Sequence, residues 1–287
     1  MLTAEPGGGS DLTARIVAQG LTAALSQQVV VDNRVGGINI ATIAAHAAPD
    51  GYTLLTYSNT LWLIPLMRAQ TPYDPVRDFA PVSLIGGAPM VLVIHPSVAA
   101  TSVKDLIALA KSKPGELNFA SGPSGAIPHL AGELFKHMAD VRMTQVAYRG
   151  VGAAVTDLIS GRVQMMFPNA SAALPHTRSG RLRALAVTSA QPSAMTPGLP
   201  TLAESGLPGY ACTASYATFA PANTPAPIVK RLNQEMSAYL KRSDVRERLF
   251  SASTEVIAGT PEELQAAMTS EIARFGKVIK AANIKLD

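Results

Sequence analysis

Three stretches of this 287-residue chain set glycine at the mouth of a helix-like run: EPGGGSD at 5–11, ASGPSGAIPH at 120–129 and YRGVGAAV at 148–155. Glycine belongs where the backbone must turn sharply or approach another group closely. In each stretch a strand-like run ends in such a turn and launches a helix, so unpaired backbone N–H groups face outward with the positive end of the helix dipole. Such ends bind anions, and in open α/β sheets ligands collect at the carboxyl ends of strands. One glycine turn is weak evidence, because most are plain turns. Three in one chain, with Arg149 inside the last, point to a carboxylate or phosphate ligand held by loops from two lobes.

Other chemistry fits less well. No G-x-x-x-x-G-K-[ST] is present, and neither GGGSD nor RGVGAA completes a G-x-G-x-x-G followed by an acidic strand end. There is no G-x-S-x-G elbow and no H-E-x-x-H. The five histidines, His46, His95, His129, His137 and His176, lack metal-ligand spacing. His129 follows the second glycine loop and reads as a loop-bracing or capping residue rather than a catalytic one. The single cysteine, Cys212, rules out an internal disulfide and reads as packing within a strand-like run. Trp62, the only tryptophan, reads as a core filler; facing a ligand, it would favour an aromatic one.

The elements that must position these loops alternate between strand and helix. Ser10 or Asp11 can cap a helix whose Leu12, Ile16, Val17, Leu21 and Leu25 share one face. A buried strand at 27–33, a helix at 36–51 and a strand at 52–58 follow, then apolar runs broken by Gly and Pro at 78–97. A helix at 102–115, capped by Ser102, leads to a strand at 116–121. The next helix, at 128–138, turns Leu130, Leu134, Phe135 and Met138 inward. Strand 144–148, helix 152–161 and strands 163–167 and 182–189 complete the middle, and the end is helical at 226–242, 243–252 and 261–282. This alternation indicates α/β domains with mainly parallel sheets covered on both faces.

Composition bounds the rest. At 47% hydrophobic and 15% charged, the chain can build one large or two medium cores, and with only 5% aromatics these must be Ala, Val, Leu, Ile and Met. The formal charge of +4 is dispersed, so a basic patch for nucleic acid or membrane is not supported. No run of apolar residues is long enough to span a membrane, and no signal peptide is visible. The opening MLTAEPGGG reads like the last residues of a strand feeding a turn, so upstream residues, a targeting segment among them, are expected to precede Met1.

PGGGSDLTARIVAQGL, APDGYTLL, PYDPVRDFAPVSLI, SVKDLIALAKSKPGELNFASGPSG, HLAGELF, YRGVGAAVTDLISGRVQMMF, LPTLAESGLPGY and APANTPAPIVKRLN follow one another in order along the chain. This series resembles the Bug receptors, the extracytoplasmic solute-binding proteins of tripartite tricarboxylate transporters. The resemblance implies a two-lobed, type II-like periplasmic binding-protein fold, α/β with mixed sheets flanked by helices and a ligand in the interlobe cleft. Lobe 1 is expected at 1–96 with 222–287 and lobe 2 at 97–221, with crossings near 94–97 and 219–225 and closure driven by the ligand. The implied ligand is a small organic carboxylate, and the implied partners are the membrane components of the transporter. No cofactor, metal or nucleic acid is expected, and the protein is expected to be a periplasmic monomer.

The resemblance also implies site residues. The first ligand loop falls on Pro6, Gly7, Gly8, Gly9, Ser10 and Asp11, and the second on Ser121, Gly122, Ser124, Gly125 and His129. Pro123 and Pro128 depart from the family pattern there, each removing an N–H. The family's Tyr-Lys-Gly appears as Tyr148, Arg149 and Gly150, favouring bidentate contact. Phe167, Pro168 and Asn169 stand where an acid and Asn are usual, which disfavours an ammonium-bearing ligand, and Ser58 and Asn59 line the same side. The alternative is an enzyme acting on such an anion through Ser10 and Asp11 or His129, but it lacks a nucleophile and base at recognisable spacing.

Overall fold

A computed structural model of the chain describes residues 1–4, 9–34, 37–122, 124–148 and 150–286. Its elements run β1 (Leu2–Thr3), α1 (Gly9–Leu25), β2 (Asp32–Asn33), α2 (Gly37–Ala45), β3 (Leu55–Ser58), α3 (Thr60–Leu63), β4 (Phe79–Pro89), β5 (Val91–Ile94), α4 (Val103–Ser112) and β6 (Asn118–Ser121). They continue with α5 (Ile127–Ala139), β7 (Thr144–Ala147), α6 (Val151–Ile159), β8 (Met165–Met166), α7 (Ala170–Arg178), β9 (Arg183–Val187) and β10 (Thr213–Pro221). The last are α8 (Ala226–Leu240), α9 (Ser243–Ser251), β11 (Glu255–Val256) and α10 (Pro261–Ala281).

The chain divides into two compact units, Met1–Gly87 with Ser215–Arg274, and Ala88–Ala214 with Phe275–Asp287. The changes of unit at 87/88 and 214/215 come earlier than the expected 94–97 and 219–225, and the last residues group with the second unit. Strand pairing supplies the reason. All of β5 is already hydrogen-bonded to β8 and β9, and β10 is paired with β3 from Tyr216 onward. The proline-bearing loops chosen from sequence lie one strand beyond each crossing.

The first unit holds a six-stranded sheet of order β11-β4-β10-β3-β1-β2. Within it β3, β1 and β2 run parallel, β10 is antiparallel to β3, and β11 is antiparallel to β4. The second unit holds a five-stranded sheet of order β7-β6-β8-β5-β9, with β7, β6 and β8 parallel and β5 antiparallel to both neighbours. Both sheets are therefore mixed rather than mainly parallel. The parallel strands are joined to one another through helices, β1 to β2 to β3 by α1 and α2 and β6 to β7 to β8 by α5 and α6, as βαβ connectivity requires.

The cores are mainly aliphatic, but the few aromatics are concentrated in them, with Trp62, Phe119, Phe135, Phe167, Phe219 and Phe275 fully buried. Ile16, Val17 and Leu21 of α1 bury against Leu232, Met236 and Leu240 of α8 in the first unit. Val91, Val93, Ala120, Val155, Leu158 and Met166 gather in the second. Leu12 stands 39% exposed and Leu25 is half-buried, while Ala14, Ala18 and Gly20 are buried, so the buried face of α1 is displaced away from Leu12. Helix α4 is capped by Ser102 as expected, and the cap is reciprocal: the Ser102 hydroxyl accepts from Asp105 N at 3.1 Å, and the Asp105 carboxylate accepts from Ser102 N at 3.0 Å.

Four elements have no counterpart in the sequence analysis, the single-turn α3 among them. Helix α7 carries Pro175 in its interior, which removes a ladder hydrogen bond and breaks the helical pattern. Strand β11 is only a two-residue partner of β4. Strand β10 was recognised only as a strand-like run around Cys212, which lies buried just before it. The strand expected over 27–33 narrows to Asp32–Asn33, and Val30 is exposed.

Candidate functional site

In each sheet the parallel strands end along one edge, and the loops that carry the expected site residues leave from there. In the second unit β7, β6 and β8 are neighbours, with Ser121 opposite Ala147 and Ala120 opposite Met166. The loops after them run into α5, α6 and α7, whose N-termini therefore lie at a common edge. Ser121, Gly122, Ser124, Gly125, Tyr148 and Asn169 are brought together by this arrangement. Arg149 lies outside the described residues.

Several of these side chains hold the edge rather than face outward. The Ser121 hydroxyl is fully buried, donating to Gly122 O at 2.9 Å and accepting from Gln145 Nε2 at 2.8 Å. Gly125 has φ +81°, a left-handed conformation that favours glycine, and its N–H donates to His129 Nδ1 at 3.0 Å. His129 is buried, its Nε2 stands 3.7 Å from Glu133 Oε1, and its ring stacks parallel on Phe119. With Nδ1 accepting, Nε2 carries the proton, so this imidazole braces the second loop, as its position suggested. Burial pulls the Glu133 carboxyl upward, but bonds from His129 and Lys136 outweigh it and hold the group below its ordinary range. The Tyr148 hydroxyl donates to Asp157 Oδ2 at 2.9 Å.

Other groups are free to act. Ser124 is exposed, and the exposed Asn169 is the N-cap residue of α7 without using its side chain as the cap. Pro128 falls in the first turn of α5, where its missing N–H would have had no helical partner, so this departure from the family pattern is neutral. Pro123 lies outside the described residues.

The first unit repeats the plan at the shared edge of β3, β1 and β2. Pro6, Gly7 and Gly8 lie outside the described residues, and α1 begins at Gly9. Ser10 and Asp11 are therefore not the cap but sit buried within the first turn. Asp11 is held by Arg15 Nε at 3.0 Å and by Asn33 Nδ2 at 2.8 Å, and Asn33 Nδ2 also donates to Ala4 O at 2.6 Å. This network ties the start of α1 to the ends of β1 and β2, so Asp11 is committed to structure.

Ser58 and Asn59 end β3 beside it. The Ser58 hydroxyl bonds Thr60 Oγ1 at 2.7 Å. Asn59 is buried, and its Nδ2 donates to Glu271 Oε2 at 3.1 Å. Trp62 is fully buried, edge-on to Phe219, with Nε1 donating to the same Glu271 oxygen at 2.9 Å. It fills core. The contact that would have favoured an aromatic ligand is absent.

Two residues here were missed. Glu271 had a legible signal, because it interrupts the buried stripe Leu264, Met268, Phe275 and Val278 of α10 at helical spacing. Tyr216 had none, since pairing alone places it opposite Ser58. Among the described residues no group of three or more His, Cys, Asp or Glu could hold a metal ion. No helix among them is long and apolar enough to cross a membrane. The two edges offer backbone N–H groups and hydroxyls, which is the chemistry of anion binding.

Comparison with known proteins agrees. A family model described as the tripartite tricarboxylate transporter family receptor matches residues 13–284. Protein BugT of Bordetella pertussis is 37% identical over 286 residues, covering 98% of this chain and 87% of that protein. The solved structure of R. palustris Rpa4515 with adipate is 35% identical with a TM-score of 0.81, covering 99% of this chain and 97% of that one. MatC from Rhodopseudomonas palustris with bound malate is 29% identical with a TM-score of 0.78, covering 97% and 98%. With the family model matching residues 13–284 of this chain and a relative 37% identical across 98% of it, this chain belongs to the receptor family of the tripartite tricarboxylate transporters.

Proposed function

We propose that this protein is a periplasmic, monomeric receptor that captures a small organic carboxylate and delivers it unchanged to the membrane components of a tripartite tricarboxylate transporter. The observation that carries the reading is the edge of β7, β6 and β8, where three helices begin side by side and the exposed Asn169 stands at one of the starts. Helix N-termini favour negative charge by about 0.3–1 kcal/mol each at exposed sites. The two relatives solved with adipate and with malate carry dicarboxylates, and this chain is similar to both along its length. The two compact units are proposed to act as the two lobes of the receptor, each contributing its strand edge. A receptor role also accounts for side chains that brace loops: His129 and Asp11 are committed to neighbours, which suits a preformed binding surface better than proton transfer.

Calorimetric titration with adipate and malate, against hexanoate as a monocarboxylate control, tests the reading. Binding of a dicarboxylate that is recovered intact from the complex is the expected result. Turnover of the ligand would favour the enzyme instead, and a concentration-dependent mass in light scattering would remove the monomer. Asn169→Asp adds a negative charge at the start of α7, and affinity for the dicarboxylate should fall by about tenfold, or ~1.4 kcal/mol. Unchanged affinity would take the second unit's edge out of the site.

A further inference from the structure

Tyr216 is used by nothing described so far. It lies opposite Ser58 in the antiparallel pair of β10 and β3, which places it at the edge where the parallel strands of the first unit end. Its ring presses on the first residue of α1: a Cβ at Gly9 would overlap the Tyr216 hydroxyl oxygen and its Cζ. Gly9 is therefore a glycine because a phenol occupies the space that a side chain would need. The question raised by the glycine-rich turn, what the backbone approaches so closely, has this phenol as part of its answer.

The hydroxyl itself makes no hydrogen bond among the described residues, although the side chain is half-buried. The oxygen is not fully enclosed, so its donor stays available to a group arriving from solvent. Burial also pushes the phenol above its ordinary pKa of 10.0, so it keeps its proton throughout the physiological range and remains a donor. Packing alone would be served equally well by phenylalanine. The strands place this spare donor beside the first residue of α1.

We infer that Tyr216 is an affinity-setting residue of the receptor, donating its hydroxyl proton to an oxygen of a carboxylate ligand seated at the entrance to α1. The inference rests on the receptor reading above and deepens it. It adds a neutral donor to backbone amides, at a site where a lysine or arginine would bring charge. It also gives the first unit its own contribution to recognition, separate from that of the loops in the second.

The test is Tyr216→Phe, which removes one oxygen and keeps the ring against Gly9. Adipate and malate are titrated by calorimetry into the parent protein and the variant, with a melting curve for each. The expected result is a roughly tenfold loss of affinity, the range of one hydrogen bond to a charged group, in a variant that melts no lower than the parent. A companion Gly9→Ala variant displaces the phenol and should lose affinity as well, after which adding Tyr216→Phe should cost little more. Equal affinity of parent and Tyr216→Phe would overturn the inference while leaving the receptor reading intact. Loss of fold in Tyr216→Phe would overturn it too, by showing that the hydroxyl serves structure. Failure of the parent to bind either acid would remove the receptor reading for these dicarboxylates, and the inference with it.

Discussion

Glu271 and Glu133 are carboxyl groups that burial treats alike and their neighbours treat differently. Burial pushes Glu271 above its ordinary 4.5, and the bonds from Asn59, Trp62 and Ser215 do not bring it back. The folded chain thus holds a proton there that the unfolded chain releases sooner. Its stabilising contribution is complete below about pH 4.5 and is lost as pH rises through the raised value. Glu133 has the opposite sign, because bonds from His129 and Lys136 hold it below 4.5; its contribution is present above that value and is lost as pH falls through the lowered one. Glu271→Gln keeps an acceptor for Trp62 but cannot ionise. Its melting temperature should therefore decline less than that of the parent as pH rises above about 4.5. Trp62 is the only tryptophan, so its fluorescence should titrate with pH in the parent and stay level in the variant. Superimposable melting profiles would show that Glu271 ionises as readily in the folded protein as in the unfolded chain.

Elements declared themselves in sequence where local signals agreed. Helix α4 has an apolar stripe, a capping serine and an acid at the third helical position, and all three are in place. Ser102→Ala should cost about 1 kcal/mol, read as a shift in the denaturation midpoint with unchanged slope; a loss below a few tenths would mean that Asp105 and Thr101 hold the helix start without it. Helix α7 was illegible because Pro175 breaks its pattern, and its short run is tied down by the residues before it, where Asn169 O accepts from Ala172 N and Ala173 N. Strand β10 was hidden for another reason. Both of its faces are buried over much of its length, with Ala217, Thr218 and Phe219 all inside, so no alternation marks it.

At the scale of the whole molecule, a ligand that binds only the folded chain must raise its stability by mass action. With adipate or malate at 100 times its dissociation constant the gain should be about 2.7 kcal/mol, visible as a concentration-dependent rise in melting temperature. A flat response at saturating concentrations of both acids would contradict the proposed ligand class. The alternating elements, the aliphatic cores and the family were all legible in the sequence, because periodicity, composition and motif order are carried by neighbouring residues. So were the glycine turns and the bracing role of His129, since the turn and its brace are four residues apart. Partnerships between residues far apart in the chain were not legible. Asn59 and Trp62 meet Glu271 more than 200 positions away, and Gly9 meets Tyr216 only because β10 returns to pair with β3. Strand order and register decide such contacts, and they come from how whole faces bury against one another. Sequence could therefore show that the backbone must approach something at the first glycine turn, while only the tertiary structure could show that a tyrosine stands there.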